Sequence, residues 1–426
     1  MYRVELKVFQ QLTSLIYLKF SFLMYRVELK VPWLIPPCSF HKAFLMYRVE
    51  LKGCGHVVFD MIFQMQVKKE LWRSYRWQIQ NRVKTQEELE RFLRLLPEEI
   101  EGIKRTQGIY PMAITPYYLS LIDPQDPQDP IRLQAIPRAV EVDERVQCHG
   151  EPDALREEGE IPGLTHRYPD RVLVQTTTFC AVYCRHCMRK RIFSQGERAI
   201  SVGQIKQITQ YIKAHPEIRE VLLSGGDPLT LSYEKLELLL SEIRKIPHVE
   251  VIRIGTRLPV LAPQRFFDQK LLDILEKYSP IWISTHFNHP KEITPEAQEA
   301  VENILRRGIP VLNQTVLLKG VNDDPQTMFE LMRSLIRIKV KPQYLFHCDP
   351  IKGAVHFRTT VEKGLEIMDY LRGRISGYAI PTYAIDLPGG KGKVPLLPQY
   401  LLAKDGTKHV FRSWQGELVE YDIQEF

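Results

Sequence analysis

The sequence lacks an apolar run long enough to cross a membrane. Its most hydrophobic stretch, Leu12 to Met24, is interrupted by Lys19, short of the roughly 18 apolar residues that a span requires. Arg3 and Lys7 precede that stretch as they would in a secretion signal, but no small-residue cleavage site follows. Cysteine is scarce: seven in 426 residues do not make a disulfide scaffold. The formal charge of +7 comes without a long basic arm or stripe, which argues against nucleic acid as a partner. A cytoplasmic protein with neither a membrane nor a nucleic-acid partner is expected. Its 44% hydrophobic and 26% charged content is that of a globular chain, and its length suits one large α/β domain with smaller additions.

The string Met-Tyr-Arg-Val-Glu-Leu-Lys begins at Met1, Met24 and Met46. The segments between the copies share almost nothing, whereas stacked repeats need similar units with a continuous apolar face. Residues 1–65 are therefore expected to be a repetitive, non-structural extension. Residues 66–150 are mostly helical in pattern and charged and predict a helical N-terminal domain. In it the run from Gln86 to Leu96 has apolar residues at helical spacing, and Pro124, Pro127 and Pro130 mark a loop.

Beyond Arg171, β-rich runs alternate with amphipathic helices. Strands are expected at Arg171 to Thr178, Glu220 to Ser224, Val249 to Ile254, Ile281 to Thr285, Val311 to Leu318, Gln343 to Phe346 and Tyr378 to Ile385. Helices are expected at Val202 to Ala214 and from Pro295 to Gly308. Repeated strand–helix units mean a parallel sheet. Six units and a last strand predict an α/β fold with a partial (β/α)6-type barrel over residues 165–390, followed by a C-terminal segment, 391–426.

Three of the cysteines, Cys180, Cys184 and Cys187, fall within eight residues just after the first of these strands. A structural zinc loop would recruit His186 as a fourth ligand. Three thiolates on a short loop also suit a four-iron cluster with one iron left open for a small molecule. Ser224-Gly-Gly-Asp227 follows the second strand; small residues there let backbone approach a ligand closely, although Gly-Gly after a strand is more often just a tight turn.

The Cys-x-x-x-Cys-x-x-Cys spacing resembles the radical S-adenosylmethionine (SAM) signature. The resemblance narrows to the lysine 2,3-aminomutase family through Arg167-Tyr-Pro-Asp-Arg171, Cys-x-x-Tyr-Cys-Arg-His-Cys187, Ser224-Gly-Gly-Asp-Pro228, Arg253-Ile-Gly-Thr-Arg257, Thr285-His-Phe-Asn-His-Pro290 and Pro388-Gly-Gly-Lys-Gly-Lys-Val-Pro395. It implies an isomerase that carries a [4Fe-4S] cluster on Cys180, Cys184 and Cys187, and that uses SAM and pyridoxal phosphate (PLP) to move the α-amino group of L-lysine to its β-carbon. An electron donor such as flavodoxin or ferredoxin and a homo-oligomeric state are expected with it.

The resemblance also implies the site, residue by residue. Ser224, Gly225, Gly226 and Asp227 hold the amino end of SAM. Lys393 attaches PLP, with Lys391 as a nearby alternative, and Arg167 and Arg171 contact the PLP phosphate. Arg189 binds the substrate carboxylate, a role for which a planar guanidinium is suited, though Lys190 and Arg191 beside it are equally what a solvated basic run looks like. Asp349 and Asp386 hold the far ammonium of lysine, since a buried ammonium needs carboxylate partners. Relatives that bind a structural zinc near the C-terminus use cysteines there, and no cysteine follows Cys348; no such zinc site is expected. A glutamate 2,3-aminomutase and the aminomutase that modifies elongation factor P are the neighbouring alternatives, and a zinc-stapled binding module is the alternative without catalysis.

Overall fold

The computed structural model describes residues 67–157 and 159–423; the repetitive segment 1–65 lies outside the described residues. Nine strands form one sheet in chain order: β1 (Leu164–Tyr168), β2 (Arg171–Thr177), β3 (Glu220–Gly225), β4 (Val251–Gly255), β5 (Ile281–Thr285), β6 (Val311–Leu317), β7 (Lys341–His347), β8 (Thr382–Leu387) and β9 (Gly392–Pro395). Strands β2 to β8 are parallel throughout. Among the described residues no further pairing closes the sheet; β1 and β9 cap its two edges as antiparallel strands.

One helix of nine residues or more crosses between each successive pair of parallel strands: Val202–Ala214, Tyr233–Arg244, Gln269–Lys277, Pro295–Arg306, Pro325–Arg337 and Val361–Leu371. Each buries one apolar stripe. In the first of them Ile205, Ile208 and Ile212 are fully covered, the three-and-four spacing of an amphipathic helix, and Ser201 and Gln204 close its N-terminus as a capping box. The expected partial barrel of six strand–helix units and a last strand is thus the observed one. A further antiparallel meander of β10 (Leu401–Asp405), β11 (Lys408–Arg412) and β12 (Leu418–Asp422) follows it.

Some local expectations are corrected. The run from Gln86 is helical only over Gln86–Leu89. Pro97 holds Leu96 extended, and the carbonyl of Arg94, out of the helix, accepts a 2.8 Å bond from the buried Arg132. Pro130 does not sit in the loop but opens the helix Pro130–Ala135, with Asp129 as its cap. Tyr378 is exposed in a 3₁₀ turn, Gly377–Ala379, ahead of the last parallel strand.

Helices between Lys69 and Gln147 share the core of the sheet: Leu89, Ile114, Tyr117, Tyr118 and Ile131 are buried in the same cluster as Val174, Ile252 and Leu345. Their main effect on the site is to clamp the cysteine loop. The Tyr183 N–H donates to Ala113 O at 3.1 Å and the Arg185 N–H to Gln134 O at 2.9 Å, while Arg82 donates to Cys180 O at 2.7 Å.

Candidate active site

The C-terminal ends of the parallel strands surround a cavity of about 500 Å³. Of the residues that the sequence nominated, the three cysteines, the four residues Ser224 to Asp227, the arginines 167, 171 and 189, the aspartates 349 and 386, and Lys393 line it.

On one side stand the three thiols. Burial, and then the neighbouring acid and thiols, push Cys180 well up, and burial pushes Cys187 up to about 11. As free thiols both are protonated near neutrality, and metal binding would release those protons. Cys184 Sγ accepts a 2.8 Å bond from Arg257 Nη1, and Cys187 Sγ accepts one from the Arg189 N–H at 3.4 Å. Among the described residues no three His, Cys, Asp or Glu side chains, these thiols included, are already drawn together around a metal position. His186, the residue that a zinc loop would recruit, directs Nε2 at the Asn288 amide, 3.3 Å away. An all-thiolate, three-ligand set on one loop fits a cluster with an open iron.

The glycines of the β3 loop line the cavity and also meet the protein's own chain. They approach protein backbone. A Cβ on Gly225, at φ +111°, would lie 2.7 Å from Thr177 O, and one on Gly226 would lie 2.4 Å from Phe179 O. The Gly226 and Asp227 N–H groups donate to those same carbonyls at 2.6 and 2.8 Å. The missing side chains thereby seat the β3 loop against the strand end that carries Cys180. Asp227 is buried and accepts from Thr256 Oγ1 and from the Arg257 and Leu229 N–H groups at 2.8 to 3.1 Å; burial outweighs these bonds and raises its carboxyl to about 6.

Lys393 stands across the cavity. It is not on a free loop: the turn Pro388-Gly-Gly-Lys, with Gly389 and Gly390 left-handed, returns the chain as β9, whose register sets Lys393 opposite Asp386. Its Nζ is 2.8 Å from Asp386 Oδ2 and 5.3 Å from the centre of the Phe346 ring, and its N–H donates to Tyr168 Oη at 3.1 Å. Lys391 is exposed and outside the lining. Arg167 pairs with Asp386 at 3.3 Å and donates to Leu155 O. Arg171 is at the rim, paired with Asp170 and packed on the Tyr168 ring. An amine among two arginines and a tyrosine fits PLP, with its aldehyde and its phosphate.

Asp386 lies within β8, not after it as expected, whereas Asp349 does follow β7. Burial, then the nearby Asp386, lift the Asp349 carboxyl to about 7. Its carboxylate makes no hydrogen bond or ion pair among the described residues.

The run Arg189-Lys190-Arg191 is not a solvated basic run. Lys190 is fully buried, with Nζ bonded to Glu141, Arg185 O and Gly353 O at 2.6 to 2.8 Å. Burial lowers its pKa to about 8 against the pull of Glu141. Glu141, equally buried, is held at about 2: burial opposes this, and the charges of Arg185 and Lys190 prevail. Sequence reasoning missed this triad, and missed Glu157 and Arg257 as well. Arg257 is in a quoted motif, but its partners Glu292 and Gln134, each at 2.7 Å, come from remote parts of the chain.

A parallel open barrel with three thiols at its mouth defines the class of radical SAM enzymes, and the family model described as Radical SAM superfamily matches residues 174–332. A second, described as Lysine-2,3-aminomutase, matches residues 368–425. The chain is 74% identical over 85% of its length to a "Putative L-lysine 2,3-aminomutase" of Aquifex aeolicus, covering 98% of that protein. It is 48% identical over 84% of its length to the "L-lysine 2,3-aminomutase" of Acetoanaerobium sticklandii, covering 87% of it. It is also 45% identical over 83% of its length to the "Glutamate 2,3-aminomutase" of Clostridioides difficile, covering 83% of it. The chain belongs to the lysine 2,3-aminomutase family.

Proposed function

We propose that this protein converts free L-lysine to β-lysine (3,6-diaminohexanoate) by moving the amino group between adjacent carbons. The relatives favour lysine: the lysine aminomutases of Aquifex aeolicus and Acetoanaerobium sticklandii are 74% and 48% identical, against 45% for the glutamate aminomutase. The observation that carries lysine is Asp349: a carboxylate without a partner, in the cavity with Asp386 and lifted to about 7. An ammonium placed between the two aspartates would relieve both, whereas a second substrate carboxylate would be repelled.

Cys180, Cys184 and Cys187 would hold three irons of a [4Fe-4S] cluster, and Ser224 to Asp227 the amino end of SAM. Lys393 would attach PLP, with Arg167 and Arg171 on its phosphate. When bound, these groups supply a 5′-deoxyadenosyl radical and a π-system that delocalises an unpaired electron during migration. The protein's part is positional. Arg189 would fix the carboxylate, the aspartates the ammonium, and the substrate would be held extended between them with its α- and β-carbons beside the radical source. A flavodoxin or ferredoxin as electron donor, a homo-oligomeric state and a cytoplasmic location accompany this reading; among the described residues no helix is long and apolar enough to cross a membrane.

Asp349→Asn and Asp386→Asn test the substrate assignment in enzyme reconstituted anaerobically. Each is expected to lose lysine turnover by tenfold or more, the result of removing one partner of a buried charge. Normal turnover in both would refute it.

A further inference from the structure

Glu157 is a buried charge that the reaction scheme leaves unused. It lies in the strap that joins the helical segment to β1, and it lines the cavity. Its Oε2 and Oε1 accept from Arg189 Nε at 2.8 Å and Nη2 at 2.6 Å, a side-on fork in which both oxygens and one whole edge of the guanidinium are engaged. Arg189 Nη1 donates to Ser224 Oγ at 3.1 Å.

Glu157 is itself fixed on every side. Its N–H donates to the Asp153 carboxylate at 3.0 Å, its carbonyl accepts from Thr165, and Arg191 is 3.5 Å from Oε2. It is 4% exposed. The strap continues to the other working loops: Arg191 pairs with Asp153 at 3.2 Å, the Gly389 N–H donates to Ala154 O at 2.8 Å, and the Lys352 N–H to Glu151 O at 3.0 Å. Displacing Glu157 would leave a carboxylate buried and unpaired, which is strongly unfavourable.

We infer that Glu157 is a positioning residue that stays on the side-on edge of Arg189 throughout the reaction, so that the substrate carboxylate binds end-on, across the hydrogens left on Nη1 and Nη2. The guanidinium has five N–H donors. Glu157 takes two and Ser224 one, and the remaining two, one on each terminal nitrogen, are what a carboxylate needs. The same contact fixes the plane of the guanidinium, and through it the distance of the α-carbon from the radical source. This rests on the assignment of Arg189 to the substrate carboxylate.

The test is Glu157→Gln, with Glu157→Asp beside it, in reconstituted enzyme. Lysine affinity is measured by equilibrium dialysis, and kcat together with the ratio of 5′-deoxyadenosine to β-lysine is measured in turnover. Glu157→Gln keeps the shape but not the ionic fork; kcat is expected to fall more than tenfold, since misplacement by about 1 Å costs roughly a hundredfold. Lysine affinity should stay within threefold of the parent, and the ratio of deoxyadenosine to product should rise. Glu157→Asp, which keeps the charge, should recover part of kcat. If Glu157→Gln retains kcat within twofold, or loses lysine affinity as fully as Arg189→Ala does, the inference is overturned. A parent enzyme that turned over glutamate in place of lysine would refute the substrate reading alone, because the α-carboxylate is common to both and the same comparison could be made with glutamate.

Discussion

Asp349→Asn should make the protein more stable while it destroys function. Burial and Asp386 raise the Asp349 carboxyl from 3.8 to about 7. The folded state therefore retains a proton that the unfolded chain gives up, and stability falls as pH rises through the window from about 4 to about 7. Three units correspond to about 4 kcal/mol; screening by water in the cavity reduces this to roughly 2–3 kcal/mol. Above pH 7 the full cost is present, and asparagine removes it. Thermal unfolding of protein free of iron and PLP, between pH 4 and pH 8, should show no difference between the variant and the parent at the acid end. The variant should gain a few degrees at pH 8. A constant offset at every pH, or a less stable variant at pH 8, would show that Asp349 is neither strained nor awaiting a cation.

Replacing Cys180, Cys184 or Cys187 by alanine should remove bound iron and all turnover, whereas Cys148→Ala should remove neither; iron analysis and activity of the anaerobically purified proteins decide this. Lys393→Ala should lose the visible absorbance of bound PLP and Lys391→Ala should keep it, the reverse outcome moving the assignment two residues. Glu141→Gln should cost about 3–5 kcal/mol in denaturant unfolding near neutral pH, because it leaves Arg185 and Lys190 buried without their counter-ion. Since Glu141 titrates at about 2 in the folded state, its contribution should persist above pH 5 and vanish as the medium is acidified through that value.

Most of the parallel strands were legible because a short run with apolar residues, such as Glu220–Gly225 or Ile281–Thr285, is followed by an amphipathic helix with a cap. The antiparallel edges were not. Leu164–Tyr168 and Gly392–Pro395 are short and polar, and pairing rather than propensity makes them strands. The same applies to the meander after Leu401, whose faces remain largely exposed.

At the site, the motifs named residues that line one cavity, Lys391 excepted. What they could not convey is how charges pair. Lys190 and Glu157 lie in sequence runs that look solvated, Arg-Lys-Arg and Arg-Glu-Glu-Gly-Glu, and both are buried because partners distant in sequence neutralise them. Gly225 and Gly226 line the cavity and also come close to Thr177 and Phe179, an approach that only the folded register discloses.

The most direct test of the account is a side-by-side assay of enzyme reconstituted anaerobically with iron, sulfide, SAM and PLP and supplied with a strong one-electron reductant, given lysine in one vessel and glutamate in the other. The aspartate pair predicts β-lysine from the first, formed at least tenfold faster than β-glutamate from the second. Faster conversion of glutamate, or no β-lysine from an enzyme with its full complement of iron and PLP, would contradict it.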